Sequence, residues 1–198
     1  MLKDNYITVN IREYFSDSDF GVTREASLTD LFSGFSCPQN SNVEKFLKDS
    51  AVGFTKKNQS VTYLVFSKND ATLVGYFTLA IKPITVNSAI ISNTTKRKLL
   101  RIGKVDESNQ ELHLAAYLIA QLGKNYKDDA NGKITGTQLL EIAIDEVKES
   151  QYNIGGVAVF LEAENNPKLR KFYVEENHFK EFGIRKDEET LVQMLKLL

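Results

Sequence analysis

Cysteine occurs once in the 198 residues of this chain, at Cys37. That excludes an intrachain disulfide framework and fits a reducing compartment. Two histidines and the single cysteine, far apart in the chain, offer no ligand set for zinc, and no metal is expected. Proline is scarce at three residues, and with 11 glycines no stretch has the composition of a flexible linker. No apolar run approaches the roughly 18 residues that a membrane helix needs. The opening residues Met1-Leu2-Lys3-Asp4-Asn5 lack an apolar h-region, so the expectation is a cytoplasmic protein without a secretory signal. An excess of either charge is missing too. Lys and Arg number 25 against 26 Asp and Glu, which excludes a generally basic nucleic-acid binder while leaving room for a local patch. No nucleophile-elbow order supports a hydrolase, and no complete Walker A sequence supports an NTPase.

What is present is ordinary for a globular protein: 42% hydrophobic and 26% charged residues. This length buries a core without staples, and one domain over residues 1–198 accounts for it. Tyr6-Ile7-Thr8-Val9-Asn10-Ile11 alternates like a short strand, and residues 15–41 read as irregular or briefly helical. Val43, Phe46, Leu47, Ala51 and Phe54 recur at helical spacing behind Asn42 as cap. Val61 to Phe66 and Leu73 to Ile81 read as a hairpin across the turn Ser67-Lys68-Asn69-Asp70, with the second strand stopped near Pro83. Residues 84–110 carry the basic cluster Lys96, Arg97, Lys98, Arg101 and Lys104 and give no clear periodicity.

Leu112 to Leu122 returns to strand. A polar stretch at 125–133 follows, then a helix from Thr135 with Leu139, Leu140, Ala143, Ile144 and Val147 on one side. Val157 to Leu161 reads as a buried strand. Asn166-Pro167 opens another helix, with asparagine as cap and proline in the first turn. Two strands close the chain, around Phe179 to Ile184 and Leu191 to Leu195. The strand–helix–strand unit argues for a parallel pair inside an otherwise antiparallel sheet, an α+β mixed architecture.

The chemistry concentrates between Ile119 and Thr137, where a strand passes through a glycine-containing loop into a helix. Backbone N–H groups at such a helix N-terminus attract anions, and Gly132, Thr135, Gly136 and Thr137 are small enough to admit a phosphate. Lys133 adds charge. Such joints are also common as plain structure.

The arrangement resembles the GNAT family of acetyl-CoA-dependent N-acetyltransferases, over roughly residues 60–198. Ile119-Ala120-Gln121-Leu122-Gly123-Lys124-Asn125 looks like the family's fourth strand, where Leu122 and Lys124, flanking Gly123, would offer main-chain groups to the pantetheine arm. Asn131-Gly132-Lys133-Ile134-Thr135-Gly136 occupies the place of the family's Q/R-x-x-G-x-G/A pyrophosphate loop and runs on to Thr137. Asn131 replaces Gln or Arg there, and Ile134 replaces the middle glycine. Asn165, in Ala163-Glu164-Asn165, takes the place of an asparagine that touches the cofactor. Tyr173, in Lys171-Phe172-Tyr173, takes that of the tyrosine beside the acetyl-CoA sulfur, a general acid for the departing thiolate. Phe179 matches the family's Gly-Phe with His178 in the glycine slot, one residue further from Tyr173 than is usual. Glu111 and His113 lie where the family can place a base, although a satisfied structural histidine is the favoured reading of His113.

The resemblance implies a mixed, mostly antiparallel sheet with a central parallel pair that splays apart, flanked by helices. It implies transfer of acetyl from acetyl-CoA to a primary amine by direct attack in a ternary complex. The front end, from Phe35-Ser36-Cys37 through Phe46-Leu47 and Ser60-Val61-Thr62-Tyr63, together with Val74-Gly75-Tyr76-Phe77-Thr78-Leu79-Ala80, looks like a subgroup that includes toxins acetylating aminoacyl-tRNA. The neutral charge balance argues against an RNA face. The basic cluster reads first as solvated side chains on a surface loop, with a local contact to an anionic partner beside the acceptor site as the sharper alternative. The departures at Ile134 and His178 motivate a second reading, a non-catalytic protein that binds acetyl-CoA and engages a partner. The acceptor is open between small molecule, protein and aminoacyl-tRNA, and the oligomeric state, a homodimer included, is open as well.

Overall fold

The computed structural model describes residues 5–15, 23–185 and 190–198. Residues 15–41 include α1 (Thr23–Ser33), and the part of that segment at 16–22 lies outside the described residues. Alternating side chains form β1 (Tyr6–Asn10), β2 (Val61–Ser67) and β3 (Leu73–Asn87), an antiparallel meander in the order β1-β2-β3. Cross-strand pairs fix the β2–β3 register: Thr62 and Thr78 share a buried hydroxyl hydrogen bond of 2.9 Å, and Tyr63 stacks on Phe77 at 5.1 Å. A bulge between Val65 and Phe66 precedes the turn.

β3 runs through Pro83 to Asn87 rather than stopping there. The pairing with β2 ends at Val61 opposite Leu79, so Pro83 lies where no β2 residue faces it and a missing N–H costs no ladder bond to that strand. The helical stretch behind Cys37 is α2 (Ser41–Lys45), a π-helical turn (Phe46–Ser50) and α3 (Ala51–Lys56). Its cap is Asn40, not Asn42. The Asn40 side chain accepts from the N–H groups of Asn42 and Val43, while Asn42 sits inside the first turn.

The segment 84–110, without clear periodicity in the sequence, holds α4 (Asn93–Leu99, capped by Ser92) and β4 (Lys104–Asp106), which pairs antiparallel with the start of β5 (Glu111–Lys124). After α5 (Gly136–Ile154) comes β6 (Ala158–Glu164). Then follow α6 (Pro167–Arg170), a π-helical segment (Lys171–Glu176), β7 (Lys180–Ile184) and β8 (Leu191–Leu197). Asn166 caps α6 with Pro167 in its first turn, as expected. The strand order is β1-β2-β3-β5-β6-β8-β7, with β4 beside β5. β5 and β6 run parallel, with Tyr117 paired to Val159 and Leu118 to Phe160, whereas β1–β2, β2–β3, β4–β5, β6–β8 and β7–β8 are antiparallel. β6 pairs with β8 along its whole length, from Ala158 opposite Leu197 to Glu164 opposite Leu191.

The chain divides into two compact units, Met1–Ala80 with Gln121–Ala143, and Ile81–Ala120 with Ile144–Leu198. The first is centred on Ile11, Leu28, Phe35, Leu47, Leu64 and Tyr76, the second on Val86, Leu99, Leu112, Ala158, Phe160 and Leu195. In the first, Gly123 is required by packing. A Cβ there would lie 2.5 Å from the Tyr76 ring and 2.6 Å from Val43. In the second, Gly156 has φ +113° and faces the Tyr117 ring, whose hydroxyl donates to the Gly155 carbonyl.

Candidate functional site

The first unit contains Leu122, Gly123, Lys124 and the stretch Asn131 to Thr137, and the second contains Asn165 and Tyr173. Leu122 and Lys124 are half-buried on β5. The Lys124 ammonium lies 5.2 Å from the centroid of the Tyr126 ring, and burial pulls its pKa down. The loop after β5 starts from a node that sequence reasoning missed. Asn125 is 2% exposed and uses its whole amide. Its oxygen accepts from the N–H groups of Ser36 and Lys127, and its nitrogen donates to the carbonyls of Gly34 and Leu73. No local pattern signals such a residue, because its partners lie as far as 91 positions away.

Asp128–Gly132 forms a 3-10 turn. Asn131 and Gly132 are exposed, and a Cβ at Gly132 would meet nothing within 4 Å, so no close approach requires glycine there. Lys133 bonds to the Asp70 carboxylate, to Asp129 at 2.6 Å and to the Thr72 hydroxyl at 2.9 Å. The ammonium holds the Asp70 carboxyl well below the usual range, and the two carboxylates raise the Lys133 pKa. Ile134 is 2% exposed, so its branched side chain lies within the protein rather than over the outer side of the loop.

Thr135 and Gln138 form a reciprocal capping box: Gln138 N–H donates to Thr135 Oγ1 at 3.2 Å, and Thr135 N–H donates to Gln138 Oε1 at 2.9 Å. The signature Thr135-x-x-Gln138 stood in the sequence and would have located this helix start. The box leaves Gly136 and Thr137 as the N–H groups at the start of α5 with no acceptor among the described residues.

In the second unit, the Asn165 backbone N–H donates to the Thr190 carbonyl, and its side chain is exposed with no partner among the described residues. Tyr173 lies in the π-helical segment after α6, edge-on to Phe172 at 4.8 Å and to Phe179 at 6.0 Å. Here the extra residue between Tyr173 and Phe179 finds its place, because a π turn takes up one residue more than an α turn. His178 has φ +60°, the left-handed conformation that glycine adopts freely in the slot His178 fills. Asn177 donates to the Phe172 carbonyl, and Lys196 donates to the Asn177 carbonyl while lying 5.7 Å from the Phe179 ring centroid, so the corner is braced from β8.

Tyr173 is half-buried, and desolvation pushes its phenol up to about 12. The hydroxyls of Tyr6, Tyr76, Tyr117 and Tyr126 all donate to protein oxygens. That of Tyr173 has no hydrogen-bond partner among the described residues. His113 meets Thr85 Oγ1 at 2.9 Å through Nδ1 and lies 3.7 Å from Glu111, both at an exposed site on the β4–β5 hairpin. Among the described residues no group of His, Cys, Asp and Glu could hold a metal, and no helix is long and apolar enough to cross a membrane.

No protein-family model and no curated protein matches the chain. Solved structures do. One is "AtaT complexed with acetyl-methionyl-tRNAfMet", with TM-score 0.64 and 17% identity, covering 96% of this chain and 94% of that one. A tyrosine-to-phenylalanine mutant of KacT gives TM-score 0.64 and 18% identity, over 98% and 95%. "AtaTR bound with AcCoA" gives TM-score 0.58 and 17% identity, over 98% and 94%. These likenesses span nearly the whole chain and show its fold, a mixed, mostly antiparallel sheet flanked by helices.

Proposed function

We propose that this chain is a GNAT-type N-acetyltransferase that uses acetyl-CoA as co-substrate and acts on aminoacyl-tRNA in the manner of the toxin subgroup. The observation that carries the reading is the fold shared with proteins solved with acetyl-CoA and with an acetylated aminoacyl-tRNA, joined to family motifs in the family's order. The residues present fit a thioester with a diphosphate tail. The Gly136 and Thr137 N–H groups at the start of α5 receive the diphosphate, and the β5 backbone at Leu122 and Lys124 pairs with the pantetheine amides. The exposed Asn165 side chain adds a polar contact.

In the reaction the amine nitrogen attacks the thioester carbon and forms the C–N bond. The C–S bond breaks as the carbonyl re-forms, the ammonium proton goes to solvent, and the departing thiolate takes a proton. Tyr173 supplies it. Its uncommitted hydroxyl is fully protonated at neutral pH. A phenol near 12 is a weaker acid than an ordinary thiol near 8.5, so Tyr173 first stabilises the developing thiolate by hydrogen bonding. The same desolvation raises the thiolate's proton affinity and completes the transfer.

Two features support an RNA acceptor. Arg97, Lys98, Arg101 and Lys104 are exposed on α4, β4 and the turn between them, with no ion-pair partner among the described residues. The neighbour solved with an acetylated aminoacyl-tRNA has the same fold. A cytoplasmic site of action follows from that acceptor.

The test is release of free thiol from acetyl-CoA in the presence of aminoacyl-tRNA, polyamines or peptides. The expected result is release that depends on the aminoacyl-tRNA. Tyr173→Phe should lower kcat about 100-fold while the acetyl-CoA Kd stays near its wild-type value. Binding of acetyl-CoA without acceptor-dependent release would replace this reading with the non-catalytic one.

A further inference from the structure

The loop proposed to receive the diphosphate is tied by a hydroxyl to β1, 127 positions earlier in the chain. Tyr6, the first residue of β1, is 9% exposed and donates from its hydroxyl to the Lys133 carbonyl at 2.7 Å. The same oxygen lies 3.5 Å from Gln138 Oε1, the acceptor that holds the Thr135 N–H in the capping box. Tyr6 therefore sits where the last loop carbonyl meets the helix start, within reach of both. A second tie runs through the side chain of Lys133, which bonds to Asp70 and Thr72 in the β2–β3 turn. The two ties belong to one framework, because Tyr6 pairs with Ser67 and Ser67 N–H donates to the Thr72 carbonyl. Between these anchors and the buried Ile134, residues 133–135 are fixed on three sides. The next two N–H groups, of Gly136 and Thr137, are left without an acceptor among the described residues.

Two consequences follow from elementary energetics. An anion bound by two N–H groups gains most when they already point the right way, since ordering them on binding subtracts from affinity. In addition, the Lys133 ammonium, shared between two carboxylates, brings little net positive charge to the loop, so direction of the N–H dipoles matters more than charge.

We infer that Tyr6 is a positioning residue for diphosphate binding: its hydroxyl, through the Lys133 carbonyl and the Thr135–Gln138 box, presets the Gly136 and Thr137 N–H groups. The inference rests on the acetyl-CoA reading above and adds to it a residue outside every motif on which the resemblance depends.

Tyr6→Phe removes the hydroxyl and keeps the ring that packs. The experiment is calorimetric titration of wild type and Tyr6→Phe with acetyl-CoA and with acetyl-pantetheine, which lacks the diphosphate. The expected result is an acetyl-CoA Kd about fivefold higher in the variant with the acetyl-pantetheine Kd unchanged. A melting curve run beside it should remain a single cooperative transition. Equal acetyl-CoA affinity in the two proteins overturns the role of Tyr6 and leaves the acetyl-CoA reading standing. An equal loss for both ligands overturns it too, because a general loosening of the unit does not distinguish them. Failure of the wild-type protein to bind acetyl-CoA overturns the donor reading itself.

Discussion

Two short lysine-bearing segments flank strand β5 in the chain, and their charges are handled in opposite ways. In the loop from Asn125 to Thr137, Lys133 is matched by Asp70 and Asp129, and the amide of Asn125 is matched at both ends. In the arm from α4 to β4, Arg97, Lys98, Arg101 and Lys104 stand in solvent with no ion pair among the described residues. Exposed Leu100 and Ile102 lie between them, and exposed Val105 follows Lys104. Charge paired inside a unit serves the shape of that unit. Charge left unpaired has its field available to something outside, and a polyanion gains from it by releasing counterions. The comparison therefore separates residues whose loss should be felt in stability from those whose loss should be felt in binding.

The largest effect should come from the loop's buried anchor. Asn125→Ala leaves two N–H groups and two carbonyls without their partner in a site that is 2% exposed. Each unsatisfied group costs about 1–3 kcal/mol, partly recovered by relaxation or water, so a loss of about 4 kcal/mol is expected in urea denaturation. A loss under about 1 kcal/mol would mean that the four bonds are not what holds the loop. The arm should behave the other way. Replacing Arg97, Lys98, Arg101 and Lys104 together by Gln should leave the denaturation midpoint nearly unchanged, because nothing in the fold depends on those charges. Affinity for transfer RNA, followed by fluorescence anisotropy, should fall at least about tenfold, and its log–log salt slope should shrink by about 3. An unchanged slope would remove the arm from RNA contact.

The same contrast explains how much was legible beforehand. β2, β3, β5, α5, β6 and β8 announced themselves because period and composition agreed over many residues. Pro83 misled, since a proline halts a strand only where its N–H is wanted, and the end of β2 opposite Leu79 was invisible in the sequence. The arm was unreadable as structure because α4 and β4 are too short to show a period, yet its charge excess was plain. For the loop the position was reversed. Its place in the chain and the resemblance at Asn131 to Thr137 were readable, while its energetics were not. Lys133 meets Asp70 across 63 positions and Tyr6 meets Lys133 across 127, and no local rule reports such partners. For Tyr173 the sequence carried the position but not the surroundings. The π segment and the left-handed His178 make the extra residue and the missing glycine consistent with Phe179 packing against the ring.

The smallest effect should fall on Lys133, where the two segments are easiest to confuse. A loop lysine beside a helix start proposed to receive a diphosphate invites the view that it neutralises the ligand, whereas its bonds to Asp70 and Asp129 make it a strut. Lys133→Met separates the views through pH. The Asp70 carboxyl is held below its ordinary 3.8, so its share of the pairing is present above that pH and is lost as pH falls below it. The Lys133 pKa is raised above its ordinary 10.5, so its share is present below that pH and is lost as pH rises beyond it. The pairing therefore contributes a plateau of stability between about 4 and 10, and in calorimetric melts the variant should lie slightly below wild type across that plateau and converge with it on either side. The exposure of the carboxylates keeps the gap small, since water screens such pairs. Over the same range the acetyl-CoA Kd of Lys133→Met should match wild type within about twofold, because Asp70 and Asp129 already offset the charge that is removed. A tenfold or greater rise in Kd with unchanged melting would reverse the assignment, placing Lys133 with the cations of the arm as a group held for an external anion.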